Sequence, residues 1–254
     1  MMRRIAPLAA LLLVLALPLG AAAQSAVVKT DEVRAELVAQ VPEGLAPGKT
    51  AWLGLVIEHA PHWHTYWKNP GDSGLPTTLT WQLPAGATAG EIGWPTPQRL
   101  PVGPLVNYGY EGKLLLPVPL TISPDFKGDA LNVKLSAQWL VCKDVCIPQQ
   151  GEFALRVPVQ ATTAAHAALF NAAWAARPLD AADTKAGAEL IDNAKALRVA
   201  ITGLPAALRG KELSFFAEAA GVIDHAAKVQ GQWEGGTWRA DVPISPQRFE
   251  SPNR

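Results

Sequence analysis

The chain has 254 residues, 49% of them hydrophobic and 17% charged, with 22 Lys+Arg against 22 Asp+Glu. That length supports one large domain or two modest ones, and the apolar content excludes a disordered chain. Zero net charge argues against a nucleic-acid partner, which calls for a basic surplus.

Met1 to Arg4 is a short basic start, Leu8 to Leu19 is apolar, and Ala21-Ala22-Ala23 offers small residues before Gln24. This is the three-part pattern of an export signal over residues 1–23. Its apolar core of about a dozen residues is short for a membrane span, which needs ~20. The expected compartment is oxidising, where a cysteine pair persists as a disulfide.

Abundant proline and glycine (22 and 21 residues) between short apolar runs predict strands and turns. Ala51 to Ala60, Leu75 to Leu83, Leu114 to Ile122, Leu131 to Val141 and the Phe153/Leu155/Val157/Val159 stripe read as strands. Pro117 and Pro119 call for an edge or a bulge, because proline cannot donate to a ladder. Such a series of strands predicts a β-sandwich over 24–160. Thr162 to Arg177 is alanine-rich and ends at Pro178, so a mostly helical link is expected over 161–196. Strand character returns at Leu197 to Ile201, Glu212 to Ala217, Lys228 to Trp233 and Thr237 to Ile244, with Gly235-Gly236 as a hairpin turn. The fold class is therefore mainly β, with a second, smaller β unit over 197–254. Ser245 to Arg254, polar with a proline, reads as a linker.

Cys142 and Cys146 are the two cysteines, within W-L-V-C-K-D-V-C-I-P. By the period of two, Val133, Leu135, Ala137, Trp139 and Val141 form an apolar inward face. Lys134, Ser136, Gln138, Leu140 and Cys142 form the other, which predicts an outward, accessible Cys142. A loop this short contributes about 2 kcal/mol as a staple and does little to hold two sheets together. Lys143 favours a thiolate and Asp144 opposes it. Redox exchange, a structural bridge and metal binding all remain open on these residues.

His62-Trp63-His64-Thr65-Tyr66-Trp67 is dense in chemistry. If extended, His62, His64 and Tyr66 share one face and the tryptophans the other. One reading is a copper or zinc site using Cys142, Cys146, His62 and His64, since thiolate and imidazole suit both metals. The other places tryptophans in the core and leaves the His/Tyr face partly solvated. Ser73 lies outside a nucleophile elbow, and Walker and dinucleotide fingerprints are missing. His166 and His225 read as isolated fillers.

The His62 to Pro76 block, Tyr108-Gly109-Tyr110-Glu111-Gly112 leading into Leu114-Leu115-Leu116-Pro117, and the cysteine segment together resemble the periplasmic N-terminal region of the DsbD family. The resemblance is closest to its ScsB-like branch, associated with suppression of copper sensitivity. It implies an immunoglobulin-like first domain with Cys142 and Cys146 as the redox pair. It implies His64, Tyr66, Tyr108, Trp139, Lys143 and Asp144 as neighbours of that pair. A shielding loop falls at Leu100, Pro101, Val102, Gly103, Pro104 and Leu105. The implied activity is protein-disulfide reduction by thiol exchange, as an electron relay without a cofactor beyond the disulfide. The implied donor is a thioredoxin-like domain of the same or a companion protein, and the acceptor a periplasmic isomerase- or reductase-type protein. Full-length relatives continue into a membrane domain, so membrane attachment is expected only through a C-terminal continuation.

Overall fold

The computed structural model describes residues 25–160, 162–163, 165–178 and 182–246. The expected export signal and most of the polar C-terminal stretch lie outside the described residues.

The first unit contains β1 (Val27–Lys29), β2 (Val33–Gln40), β3 (Ala51–His59), β4 (His64–Gly71), β5 (Thr78–Gln82) and β6 (Ala87–Ala89). It continues with β7 (Gln98–Val102), β8 (Leu105–Glu111), β9 (Lys113–Ile122), β10 (Ala130–Cys142) and β11 (Cys146–Pro158). One sheet has the order β1-β2-β3-β9-β6, and the other β11-β10-β4-β8-β7 with β5 also paired to β10. The ladders are antiparallel. The two sheets face each other as an immunoglobulin-like sandwich, with Leu37, Leu53, Leu55 and Leu116 of one buried against Leu131, Leu135, Trp139 and Phe153 of the other. The alternation read in β10 is realised: Val133, Leu135, Ala137, Trp139 and Val141 are all buried.

The proline-bearing strand β9 lies between β3 and the short β6. The carbonyls of Pro117 and Pro119 accept hydrogen bonds from the N–H groups of Gly93 and Gly90, on the side away from β3. In an antiparallel strand a residue's N–H and C=O point the same way. The two missing donors therefore fall on the sparse outer side, and the pairing with β3 is left intact.

α1 (Ala167–Ala176) is shorter than the expected helical link. It packs Phe170 and Ala173 on Val38, Val56 and Leu115, the outward residues of β2, β3 and β9. Gly54 makes the approach possible: a Cβ there would stand 2.6 Å from Leu115 Cδ1 and 3.3 Å from Phe170.

The second unit starts before the expected boundary at 197. β12 (Lys185–Ile191) pairs along its whole length with β13 (Ala196–Thr202). The sheet closes with β14 (Gly231–Glu234) and β15 (Thr237–Pro243), in the order β12-β13-β15-β14. Alanine's helix propensity in 185–191 loses to this ladder, which the Asp192-Asn193-Ala194 turn closes with positive φ throughout. The expected strand at 212–217 is irregular chain instead. Its side chains serve two cores, Leu213 and Phe215 the second unit and Phe216 the sandwich, so it joins no ladder. Gly235-Gly236 turns the β14–β15 hairpin as read. No helix among the described residues is long and apolar enough to cross a membrane.

Candidate functional site

β10 and β11 form one long hairpin whose last register pair is Cys142 with Cys146. The two are joined in a disulfide with Cα atoms 4.2 Å apart. Lys143, Asp144 and Val145 make the exposed tip, closed by a Lys143 N–H to Val145 carbonyl bond of 3.1 Å. The two cysteines differ in exposure. Cys146 is exposed, whereas Cys142 is only 2% exposed. This corrects the expectation of an outward, accessible Cys142. Its strand parity does point away from the sandwich core, but β4 runs beside it, with His64 in register with Cys142.

β4 brings aromatic groups to the sulfurs. The Tyr66 hydroxyl lies 3.7 Å from Cys146 Sγ, and the His64 ring meets Tyr66 edge-on at 5.2 Å. Both are buried, at 1% and 5% exposure, so of the His/Tyr face His62 alone is exposed. Burial raises the Tyr66 pKa, which keeps its hydroxyl a donor. Burial also lowers the His64 pKa, against the opposing pull of Glu111, and leaves His64 Nε2 without a hydrogen-bond partner. His59 lies deeper, between the Gly112 carbonyl at 2.7 Å and Thr65 Oγ1 at 3.0 Å. Desolvation brings its pKa down to about 4. Trp139 fills the core below and donates from Nε1 to Gln149 Oε1 at 3.0 Å.

Other residues expected at the site stand elsewhere. Tyr108 faces the core with Trp67 and contacts Phe216 and His225 of the second unit at 4.9 and 5.0 Å between ring centres. The Leu100 to Leu105 segment is the tip of the β7–β8 hairpin, with Val102 paired to Leu105. β8 runs antiparallel to β4, with Glu111 at His64 and Asn107 at Gly71. The tip therefore lies beyond Gly71, at the far end of β4 from the sulfurs. Pro104 and Leu105 there border a cavity shared with Asp72 and His225. This hairpin does not shield the disulfide.

A different segment covers Tyr66. The strap after β4, Asp72 to Thr77, returns so that Pro76 bridges to Tyr66. Gly74, at φ +109°, lies against the Tyr66 ring so closely that a Cβ would come within 2.2 Å of it. Ser73 is fixed through its N–H and hydroxyl, both donating to Asn107 Oδ1 at 3.1 Å. The strap was legible only as a turn, since its contact with Tyr66 is set by the fold.

His225 is not an isolated filler. It is 2% exposed, and its Nδ1 lies 3.1 Å from Asp72 Oδ1, at the start of the strap. Arg99 donates to the His225 carbonyl at 2.6 Å, and Asn69 to the Ala217 carbonyl at 2.7 Å. The second unit is thus fastened to the end of β4.

His62 is exposed in a turn with φ +68°. Among the described residues no group of three or more His, Cys, Asp or Glu is placed to hold a metal ion.

Fold and site together define an immunoglobulin-like domain with a disulfide at a hairpin tip, between one exposed and one buried cysteine. Residues 24–158 match the family described as "Thiol:disulfide interchange protein DsbD, N-terminal", and the chain belongs to that family. The crystal structure of the N-terminal periplasmic domain of ScsB from Proteus mirabilis shares the fold. It has a TM-score of 0.62 at 18% identity, over 91% of this chain and 89% of that one. No curated protein matches the chain significantly.

Proposed function

We propose that the chain is a periplasmic electron relay whose working group is the Cys142–Cys146 disulfide. The observation that carries this reading is the unequal exposure of the two cysteine residues, Cys146 exposed and Cys142 buried. A thiolate of a thioredoxin-like donor attacks Cys146 Sγ. The Cys142–Cys146 bond breaks, and its electron pair leaves on Cys142. The donor's second thiolate then attacks its own sulfur in the mixed disulfide. This releases Cys146 and leaves the donor oxidised by two electrons. In the second half-cycle, the Cys146 thiolate opens the disulfide of a periplasmic disulfide-handling protein, and Cys142 resolves the adduct. The family match supports thiol–disulfide exchange, and the reductase direction is part of the proposal. The periplasmic location rests on the export pattern at the N-terminus and on the location of the ScsB domain.

Protein residues supply what the exchange needs. The buried Tyr66 hydroxyl donates toward Cys146 and favours its thiolate. His64 stays uncharged at neutral pH in its buried position. The test is trapping in the periplasm. Cys142→Ala should accumulate covalent adducts through Cys146, and Cys146→Ala should accumulate few. Equal trapping by both variants would overturn the order of attack. A disulfide that stays oxidised well below about −300 mV against a thiol buffer would make the bond structural instead.

A further inference from the structure

The outward face of the β10–β11 hairpin can be read pair by pair away from the tip. After Cys142–Cys146 come Leu140–Pro148, then Gln138–Gln150, then Ser136–Glu152. Cross-strand partners on one face lie ~5 Å apart, and successive pairs on that face follow at ~6.8 Å. The pair next to the disulfide is therefore apolar, the following one neutral, and charge arrives only at the third step.

Leu140 and Pro148, with Gln138 and Gln150, floor a groove of about 520 Å³. Its wall is the strap, through Leu75 and Pro76. Leu75 is 64% exposed, a large apolar side chain held out over the groove by a strap fixed at Ser73 and Gly74. Of the described residues that line the groove, none is charged. A volume of this size lies within the ~300–1,000 Å³ of pockets that take compact groups and admits a few side chains, not a domain.

We propose that this groove seats the residues flanking the reactive cysteine of the redox partner, and that the groove selects for apolar ones. The inference rests on the exchange reading of the disulfide. A thiolate that reaches Cys146 must bring its neighbours over this face. In an extended segment, the side chain two residues from the cysteine lies ~6.8 Å away, the same step that separates the disulfide from Leu140–Pro148. A carboxylate or ammonium there would lose hydration without meeting an opposite charge. An aliphatic side chain would bury area against Leu75, Leu140 and Pro148.

The experiment uses the oxidised full chain and end-capped heptapeptides with a central cysteine. Two residues to either side of the cysteine the peptides carry Leu, Ser or Glu. Second-order rates of disulfide opening are measured per thiolate. The Leu peptide should react about tenfold faster than the Ser peptide, the ratio that ~1.4 kcal/mol represents, and the Glu peptide should be slowest. Leu75→Ser, at an exposed position, and Leu140→Ser should each bring the Leu peptide close to the Ser rate. Dithiothreitol should open all three proteins equally. Leu and Ser peptides reacting alike with the unaltered chain, while dithiothreitol opens it, would overturn the groove and leave the exchange reading intact. A disulfide that neither peptide nor dithiothreitol opens would defeat the exchange reading itself.

Discussion

The Tyr66 hydroxyl oxygen stands 3.7 Å from the Cys146 sulfur, inside hydrogen-bonding reach for sulfur, while the rest of the tyrosine is buried. Burial raises its pKa, so it is still protonated when a thiol ionises. In the reduced protein it is expected to donate to the Cys146 thiolate. Tyr66→Phe removes that donor and keeps the ring. A bond to a charged acceptor is worth about 1.5 kcal/mol at the lower end, which corresponds to about one pKa unit. The Cys146 thiol should therefore ionise about one unit higher in Tyr66→Phe. The pH dependence of alkylation, measured in a Cys142→Ala background so that one thiol reports, checks this. An unmoved profile would show that the hydroxyl does not stabilise the thiolate.

Gly74 sits where the strap crosses Tyr66, and a Cβ there would come within 2.2 Å of the ring at a φ of +109°. Gly74→Ala meets both a backbone penalty and an overlap with a buried aromatic. Each costs roughly 1–3 kcal/mol, so a loss of roughly 2–6 kcal/mol is expected. Gly103→Ala is the control. Its φ is +59° and nothing lies within 4 Å of its Cβ, so only the backbone penalty of roughly 1 kcal/mol applies. Urea unfolding of the oxidised proteins measures both. Equal losses at the two positions would mean that the strap yields freely above Tyr66.

His59 sets a pH dependence of stability with a definite sign. Its pKa is brought down to about 4 by desolvation, with the Gly112 carbonyl acting against this and His64 adding slightly to it. The unfolded chain holds the ordinary value near 6.5. Between these two values the unfolded state binds more protons, so stability rises with pH. The contribution is complete above about 6.5, is lost as pH falls toward 4, and changes no further below that. The span of the two values corresponds to about 3 kcal/mol. His59→Gln keeps a donor for Gly112 and an acceptor for Thr65 but does not titrate. It should flatten the difference in unfolding free energy between pH 6.5 and pH 4 relative to the unaltered chain. An unchanged slope would place the effect on other groups.

What the sequence made legible followed from local period. β10 announced its inward face by strict alternation from Val133 to Val141, and the Gly235-Gly236 turn placed the β14–β15 hairpin. The cysteine pair was legible from its spacing and its place at a strand end. Burial of Cys142 was not legible, because parity says which way a side chain points but not which side chains of a neighbouring strand pack around it. The shield failed for a similar reason. The 100–105 segment has the composition of an exposed loop, yet the register of β8 on β4 sends it away from the sulfurs, and the strap at 72–77 lies over Tyr66 instead. β12 was hidden because alanine favours helix locally, and its partner β13 had to be found across a turn. The Asp72–His225 contact joins residues 153 apart, a separation at which no local pattern reports.

That contact makes the second unit part of the same folded body as the redox domain. Phe216 meets Tyr108 at 4.9 Å and Trp67 at 6.4 Å between ring centres, and His225 packs edge-on against Tyr108 while holding Asp72. Buried aromatic contacts and satisfied polar groups of this kind couple the unfolding of two units. The unaltered chain should therefore unfold in one calorimetric transition. Phe216→Ala removes a half-buried ring, at a cost of roughly 2–3 kcal/mol, and His225→Ala leaves Asp72 only its bond from the Val106 N–H, at roughly 1–3 kcal/mol. The two changes act across one interface and are expected to be non-additive. Combined, they should split the transition in two, with the weaker β12–β15 unit melting first and the disulfide-bearing sandwich following. Two separate transitions already present in the unaltered chain would mean that the contacts at Tyr108 and Asp72 do not couple the units.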